Sequence, residues 1–173
     1  VLLRYYFVVV IGFVLTVRRY GGILCLNRDM NKRAEHILLF DPTLIRMVPM
    51  MAKTLYNRIA SLNRQHPEVP IRKVKEQMLG TRLHKIISGG GYLAPDLAAN
   101  YQRLGIAIAQ GYGTSECSPK ISSPDWTRPD KVTTVGRLVD RGEVSNVDGA
   151  TLDQSPSVSL AYYKEPHTTQ VAI

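Results

Sequence analysis

The apolar stretch Ile106-Ala107-Ile108-Ala109-Gln110 runs straight into Gly111-Tyr112-Gly113-Thr114-Ser115-Glu116. An apolar run of that length, followed at once by Gly-x-Gly and then by hydroxyl and carboxylate side chains, reads as a strand that delivers a polar loop. The two glycines let the backbone turn sharply and approach a ligand closely. Tyr112 offers a flat face to a planar group, Thr114 and Ser115 offer hydroxyl donors, and Glu116 offers a hard oxygen ligand for a divalent cation such as Mg2+. A stacking ring, phosphate donors and a metal carboxylate within a few residues describe a nucleotide-phosphate site. An ordinary polar turn is the plainer alternative.

Upstream of this loop the pattern alternates. Residues 22–26 read as a buried strand, and residues 29–40 read as a helix with Ala34, Ile37, Leu38 and Leu39 as its apolar stripe. Pro42 stops that helix, and residues 43–48 form the next strand. A helix over 49–65 carries apolar positions at Met51, Leu55, Ile59 and Leu62, at helical spacing. After a surface connection at 66–70, a short helix over 74–79 stops at Gly80. Residues 83–88 make a strand that ends in Gly89-Gly90-Gly91, and a helix from Pro95 or Asp96 runs to Leu104 before Gly105. Strand and helix in this rhythm predict an α/β fold with a parallel sheet and helical crossovers. In such sheets ligands collect beyond the carboxyl ends of the strands, where the triple glycine and the Gly-Tyr-Gly loop both fall. After Cys117 the texture changes. Residues 119–130 carry three prolines and Trp126 and read as a surface loop, and 132–139 and 144–152 read as a short antiparallel β-section. The expected division is therefore an α/β part over residues 1–130 and the start of a β-rich section over 131–173.

The hexapeptide Gly111-Tyr112-Gly113-Thr114-Ser115-Glu116 resembles the G-Y-G-x-[ST]-E core of adenylate-forming (AMP-binding) enzymes, the superfamily of acyl-CoA synthetases, luciferases and peptide-synthetase adenylation domains. Ser88-Gly89-Gly90-Gly91-Tyr92-Leu93 is similar to the S-G-G-[AG]-x-L element that precedes it there. Val135-Gly136-Arg137-Leu138 is similar to the V-G-x-[LP] step that follows. The segment from Pro156 through Tyr162-Tyr163 to Pro166 resembles G-P-x-V-x-x-G-Y-Y-x-x-P. Four motifs in the right order make the match specific over most of the chain, and the wording of 25–51 and 110–118 is most like bacterial long-chain fatty-acid–CoA ligases. The family's P-x-x-H segment is replaced by Leu3-Arg4-Tyr5-Tyr6. Asp153-Gln154-Ser155 stands for the usual R-G, and Ala161 for the usual glycine.

The resemblance implies a fragment of the large N-terminal domain of an enzyme that joins a fatty carboxylate to AMP from ATP and then passes the acyl group to the thiol of CoA or of an acyl carrier protein. It implies that Gly89, Gly90 and Gly91 border the adenine and the acyl pocket, with Gln110, Gly111 and Gly113 beside the nucleotide. Tyr112 stacks on adenine, Thr114 bonds the α-phosphate, and Glu116 binds Mg2+; Thr114 and Glu116 are the catalytic pair. The family's upstream phosphate loop, its T-G-D aspartate and its C-terminal lysine are not among these residues. The expectation is thus a central piece of a longer enzyme, inactive in isolation. The two rivals are a non-catalytic nucleotide-binding or interaction protein on the same fold, and a basic nucleic-acid binder.

Length and composition set bounds around this reading. The 173 residues amount to one domain or one large piece of a domain, opening with Val1 and stopping at Ile173 as though cut at both ends. A hydrophobic share of 45% with 21% charged residues is that of an ordinary folded globular chain. The net charge of +8, from 22 Lys and Arg against 14 Asp and Glu, suits an anionic partner without choosing between nucleotide, CoA, phospholipid and nucleic acid. The basic cluster at 72–75 lacks the interleaved aromatics of a nucleic-acid groove, so none is expected. Cys25 and Cys117 have no metal or redox spacing and read as reduced, structural thiols of a cytoplasmic protein. The four histidines are scattered, with no spacing that suggests a metal site. The apolar start has thirteen uncharged residues, from Tyr5 to Val17, against the roughly 20 of a spanning helix. It reads as a buried strand and helix and leaves open a peripheral membrane contact.

Overall fold

A computed structural model of the chain describes residues 8–27 and 29–173. The elements in order are α1 (Val8–Arg19), α2 (Arg33–Phe40), β1 (Leu44–Met47), α3 (Pro49–Gln65), α4 (Ile71–Leu79), β2 (Lys85–Ser88), α5 (Pro95–Arg103), β3 (Ala107–Gln110), β4 (Ser122–Ser123), β5 (Arg137–Leu138), β6 (Glu143–Val147), β7 (Ala150–Gln154) and α6 (Pro166–Ala172). Strands β1, β2 and β3 form a parallel sheet in that order, joined by helices, as the alternation predicts. Its register puts Met47 level with Ser88, and Ser88 level with Gln110. The three carboxyl ends therefore form one rim.

Side-chain alternation sets the faces of this sheet. Ile45 and Met47, Ile86 and Ser88, and Ile108 and Gln110 are buried on one face. Against the apolar members of this face pack Ala52 and Ile59 of α3, Val74 and Leu79 of α4, and Leu97, Ala98 and Tyr101 of α5, in one core. Each large apolar side chain so buried contributes about 1.5–3 kcal/mol relative to exposure. Tyr101 is fully buried, and its hydroxyl donates to the Ala52 carbonyl at 2.8 Å, tying α5 to α3. Burial pushes the Tyr101 phenol well above its ordinary pKa, so it stays a neutral donor.

Helices α3 and α5 start at Pro49 and Pro95, and α4 and α5 stop before Gly80 and Gly105, as expected, whereas α4 starts at Ile71, directly after Pro70 and three residues before the expected Val74. The expected helix over 29–40 is divided. Asp29 caps a 3-10 turn at Met30–Lys32, accepting from the Asn31 N–H at 2.8 Å, and α2 follows directly. Asp41 ends α2 in the left-handed region, and its carboxylate accepts from Arg82 N and Thr81 Oγ1, both at 3.1 Å. The Arg82 N–H foremost holds that carboxyl below its usual range.

Two expectations are corrected. No strand forms over 22–26. Ile23 is 94% exposed and Leu26 half exposed, so the run flanks the β1 side of the sheet instead of lying between two neighbours. A short apolar run carries no period that distinguishes a buried strand from an extended flank. The apolar stripe of α2 reduces to Ile37, with Ala34, Leu38 and Leu39 exposed, because α2 meets the core along one narrow line beside α4. At the start, α1 supplies the expected helix with Val10 buried, though Ile11 and Leu15 are exposed. The strand expected before it and the Leu3-Arg4-Tyr5-Tyr6 substitution lie outside the described residues. Among the described residues no helix is long and apolar enough to cross a membrane.

Beyond β3 the structure is short-ranged. Strands β4 and β5 pair antiparallel, as do β6 and β7, which form a hairpin with almost every residue exposed. The loop between β4 and β5 meets the parallel sheet through Lys85 Nζ, 5.3 Å from the centre of the Trp126 ring, and is tied to β5 by an Arg137–Asp125 ion pair at 2.6 Å.

Truncating the core at the middle strand should show how much the three-stranded sheet depends on it. Ile86→Ala is expected to cost about 3 kcal/mol, and Tyr101→Phe about 1 kcal/mol for its single hydroxyl, measured by denaturant unfolding of the full-length protein. A Tyr101→Phe variant as stable as wild type would remove the α5–α3 hydrogen bond from this account.

Candidate nucleotide-phosphate site

The site begins where β2 and β3 end side by side. The ladder continues one step past the strands, with Gly111 N donating to Ser88 O at 3.1 Å. Ser88 is fully buried, and its hydroxyl has no hydrogen-bond partner among the described residues. After it the chain turns at Gly90, whose φ of +75° lies in the left-handed region that favours glycine. Gln110 is buried and uses both ends of its amide. Oε1 accepts from Leu93 N at 2.9 Å, and Nε2 donates to Thr133 O at 2.8 Å. One side chain thus joins the triple-glycine turn, the end of β3 and the turn before β5.

The loop from Gly111 onward folds back on residues 119–123. Tyr112 O accepts from both Ile121 N and Ser122 N at 2.9 Å, and Tyr112 N donates to Ser122 Oγ at 3.2 Å. Ser122 Oγ in turn donates to Val135 O at 2.6 Å. With its main chain fixed in this way, the Tyr112 ring remains 42% exposed on the rim. Gly113 is glycine for a steric reason, since a Cβ there would overlap the carbonyl oxygen of Pro119. Gly113 is therefore required by the packing of the loop upon itself.

Ser115–Cys117 forms a 3-10 turn that leaves through Ser118 in the left-handed region. Thr114 Oγ1 donates to the sulfur of buried Cys117 at 3.4 Å, which keeps Thr114 beside the turn. Glu116 Oε1 accepts from the Tyr162 hydroxyl at 2.6 Å. That hydrogen bond foremost, with its own backbone N–H next, holds the Glu116 carboxyl below its usual range, so it is ionised at neutral pH. The same bond raises the Tyr162 phenol and keeps it protonated. Tyr162 belongs to a motif quoted from the sequence, but its reach to Glu116, 46 positions away, had no signal beyond the Tyr-Tyr doublet.

All the expected site residues lie on one rim. Gly89, Gly90 and Gly91 follow β2; Gln110, Gly111, Tyr112, Gly113, Thr114 and Glu116 follow β3. The side chains of Gln110 and Thr114 are engaged within the protein, whereas the Tyr112 ring and the Glu116 carboxylate are held at the surface of the loop. Among the described residues no three His, Cys, Asp or Glu side chains cluster as a closed metal cage. A single ionised carboxylate is nonetheless a donor set that suits Mg2+, which takes one or two carboxylates and completes its shell with water and phosphate oxygens.

The loop's dependence on close backbone approach can be checked directly. Gly113→Ala should lower the stability of the full-length protein by about 1–3 kcal/mol, because backbone and not a flexible side chain blocks the new methyl. It should also make residues 111–120 a preferred site of limited proteolysis. Wild-type melting and digestion would show that the loop can open without cost.

Comparison with known proteins gives concordant results. The chain is 31% identical over 108 residues to a Mycobacterium tuberculosis protein provisionally named fatty-acid–CoA ligase fadD11, an overlap of 61% of this chain and 19% of that protein. It superposes on a long-chain-fatty-acid–CoA ligase from Archaeoglobus fulgidus with a TM-score of 0.73 and 20% identity, over 97% of this chain and 36% of that one. It superposes on the o-succinylbenzoate coenzyme A synthetase of Bacillus subtilis, solved with ATP and magnesium ion, with a TM-score of 0.67 and 17% identity, over 100% of this chain and 36% of that one. The chain thus spans about a fifth of the matched relative's length and about a third of either solved chain. The superpositions establish the fold. The model of the family described as "AMP-binding enzyme" matches residues 1–158, and the chain, with two of its motifs following adjacent parallel strands, belongs to the AMP-binding enzymes.

Proposed function

We propose that this chain carries the nucleotide-phosphate site of an ATP-dependent, AMP-forming fatty-acid–CoA ligase. The observation that carries the reading is the Glu116 carboxylate, held ionised at the carboxyl ends of parallel strands next to Thr114 and the exposed Tyr112 ring. Residues 1–130 are read as the α/β part of the large domain and residues 131–173 as the start of its β-rich section.

In this reading the Tyr112 ring stacks on adenine. Gly89, Gly90 and Gly91, with Gly111 and Gly113, bring main chain close to the nucleotide and the acyl group. Gln110 holds these two turns together from behind. Thr114 donates to the α-phosphate, exchanging its contact with the Cys117 sulfur for a phosphate oxygen. Glu116 holds Mg2+, and the cation when bound neutralises phosphate charge. The substrate carboxylate oxygen attacks the α-phosphorus, the bond to the β-phosphate oxygen breaks, and acyl-AMP and pyrophosphate form. The thiol of CoA, or of an acyl carrier protein, then displaces AMP and loses its proton. Donors fixed in advance are effective in such a step because they need no reorganisation as charge moves. Peripheral contact with a membrane that supplies the fatty carboxylate would use the exposed Ile11, Leu15 and Tyr20 of the α1 region. The isolated chain, lacking the family's other phosphate-binding and ribose-binding groups, does not turn over.

In the full-length protein, Glu116→Ala should lower Mg2+-dependent exchange of pyrophosphate into ATP by about 10²–10³-fold. Tyr112→Ala should raise the KM for ATP by about tenfold through lost stacking and change kcat little. Undiminished exchange in Glu116→Ala would end the metal-ligand reading.

A further inference from the structure

The turn that carries Glu116 is covered by a segment far along the chain. Ser159 donates both its backbone N–H, at 2.7 Å, and its hydroxyl, at 3.0 Å, to the main-chain carbonyl of Glu116. Ser118 Oγ donates to Ser157 O at 3.0 Å. These three bonds fix the backbone of the turn. A fourth, from the Tyr162 hydroxyl to Glu116 Oε1, acts on the side chain itself. Tyr162 is anchored in its turn, because its N–H donates to Thr169 Oγ1 of α6 at 2.9 Å and Thr169 Oγ1 donates to Glu165 O at 2.8 Å.

A glutamate on a surface turn samples many rotamers, and confining it for a ligand costs free energy at the moment of binding. A donor that is itself held fixed removes part of that cost beforehand. The phenol engages one carboxylate oxygen, Oε1, and an ionised carboxylate accepts several partners at once, so the same group can hold a cation. We propose that Tyr162 is a positioning residue that holds the Glu116 carboxylate in place for the divalent cation that accompanies the nucleotide phosphates. This rests on the reading of Glu116 as the metal ligand given above, and adds to it a part for the Tyr-Tyr segment.

The test uses the full-length protein with Tyr162→Phe, Glu116→Ala and the double variant, each first shown by its melting curve to be folded at the assay temperature. Binding of Mn2+ in the presence of ATP, without carboxylic substrate, is read from the electron paramagnetic resonance signal of free Mn2+. Tyr162→Phe removes one oxygen atom and should weaken Mn2+ binding about tenfold, as expected for a hydrogen bond to a charged group. It should raise the Mg2+ concentration for half-maximal adenylation by a similar factor and leave kcat at saturating Mg2+ near wild type. In the Glu116→Ala background the same substitution should change Mn2+ affinity no further. Unchanged Mn2+ affinity in Tyr162→Phe beside a loss in Glu116→Ala would overturn the role of Tyr162 while leaving Glu116 as ligand. An equal loss with and without Glu116 would make Tyr162 a general support of the fold and overturn the proposal too. Unchanged affinity in all three variants would remove Glu116 as the ligand, and the proposal with it.

Discussion

A single buried amide holds the working end of this molecule together. Gln110 sits at the last position of β3, level with Ser88, and its two polar ends meet Leu93 N and Thr133 O. In a low-dielectric interior neither of those main-chain groups can be left without a partner cheaply, nor can the amide itself. Three segments distant in sequence are therefore committed to one arrangement by the need to satisfy four polar atoms. The triple-glycine turn, the Gly-Tyr-Gly loop and the approach to β5 all take their positions from it. Leucine of similar size would fill the volume and leave the buried Leu93 N–H and the half-buried Thr133 carbonyl unpaired.

Around that point the loop is largely its own scaffold. Tyr112 is fixed by its main chain, so that its ring is exposed without being loose, and Gly113 accepts the Pro119 carbonyl where any side chain would collide. Glycine in such motifs is commonly explained by ligand approach, and here the backbone of residues 119–120 already requires it. The two explanations are compatible. A loop that closes tightly on itself also holds its main chain in a fixed place, and preorganised groups bind and stabilise charge more effectively than mobile ones.

The sequence revealed whatever local rules decide. The 3.6-residue spacing in α3, the prolines at Pro49 and Pro95 and the glycines after α4 and α5 gave those helices their bounds, apart from the start of α4 at Ile71, and the strand–helix rhythm gave the parallel sheet. It misled where burial depends on what lies alongside. Residues 22–26 are as apolar as a central strand, yet Ile23 lies in solvent. Leu38 and Leu39 look like a stripe until the narrow contact of α2 leaves only Ile37 inside. The rim residues themselves were legible because strand ends and glycine turns are local features. The contact between Glu116 and Tyr162 was not, since no periodicity or spacing relates two residues 46 positions apart.

That separation also governs the order in which the site comes into being during synthesis. Strands β1, β2 and β3 and the helices that join them are all available to a nascent chain once Gln110 has emerged. The Glu116 side chain acquires its hydrogen-bond donor only after the exposed β6–β7 hairpin and the segment through Tyr162 have followed. A ribosome-bound chain therefore passes through a stage in which the sheet is folded while its carboxylate still swings free. The order of that carboxylate therefore arrives later than the strand end that carries it, conferred by a segment 46 positions further along.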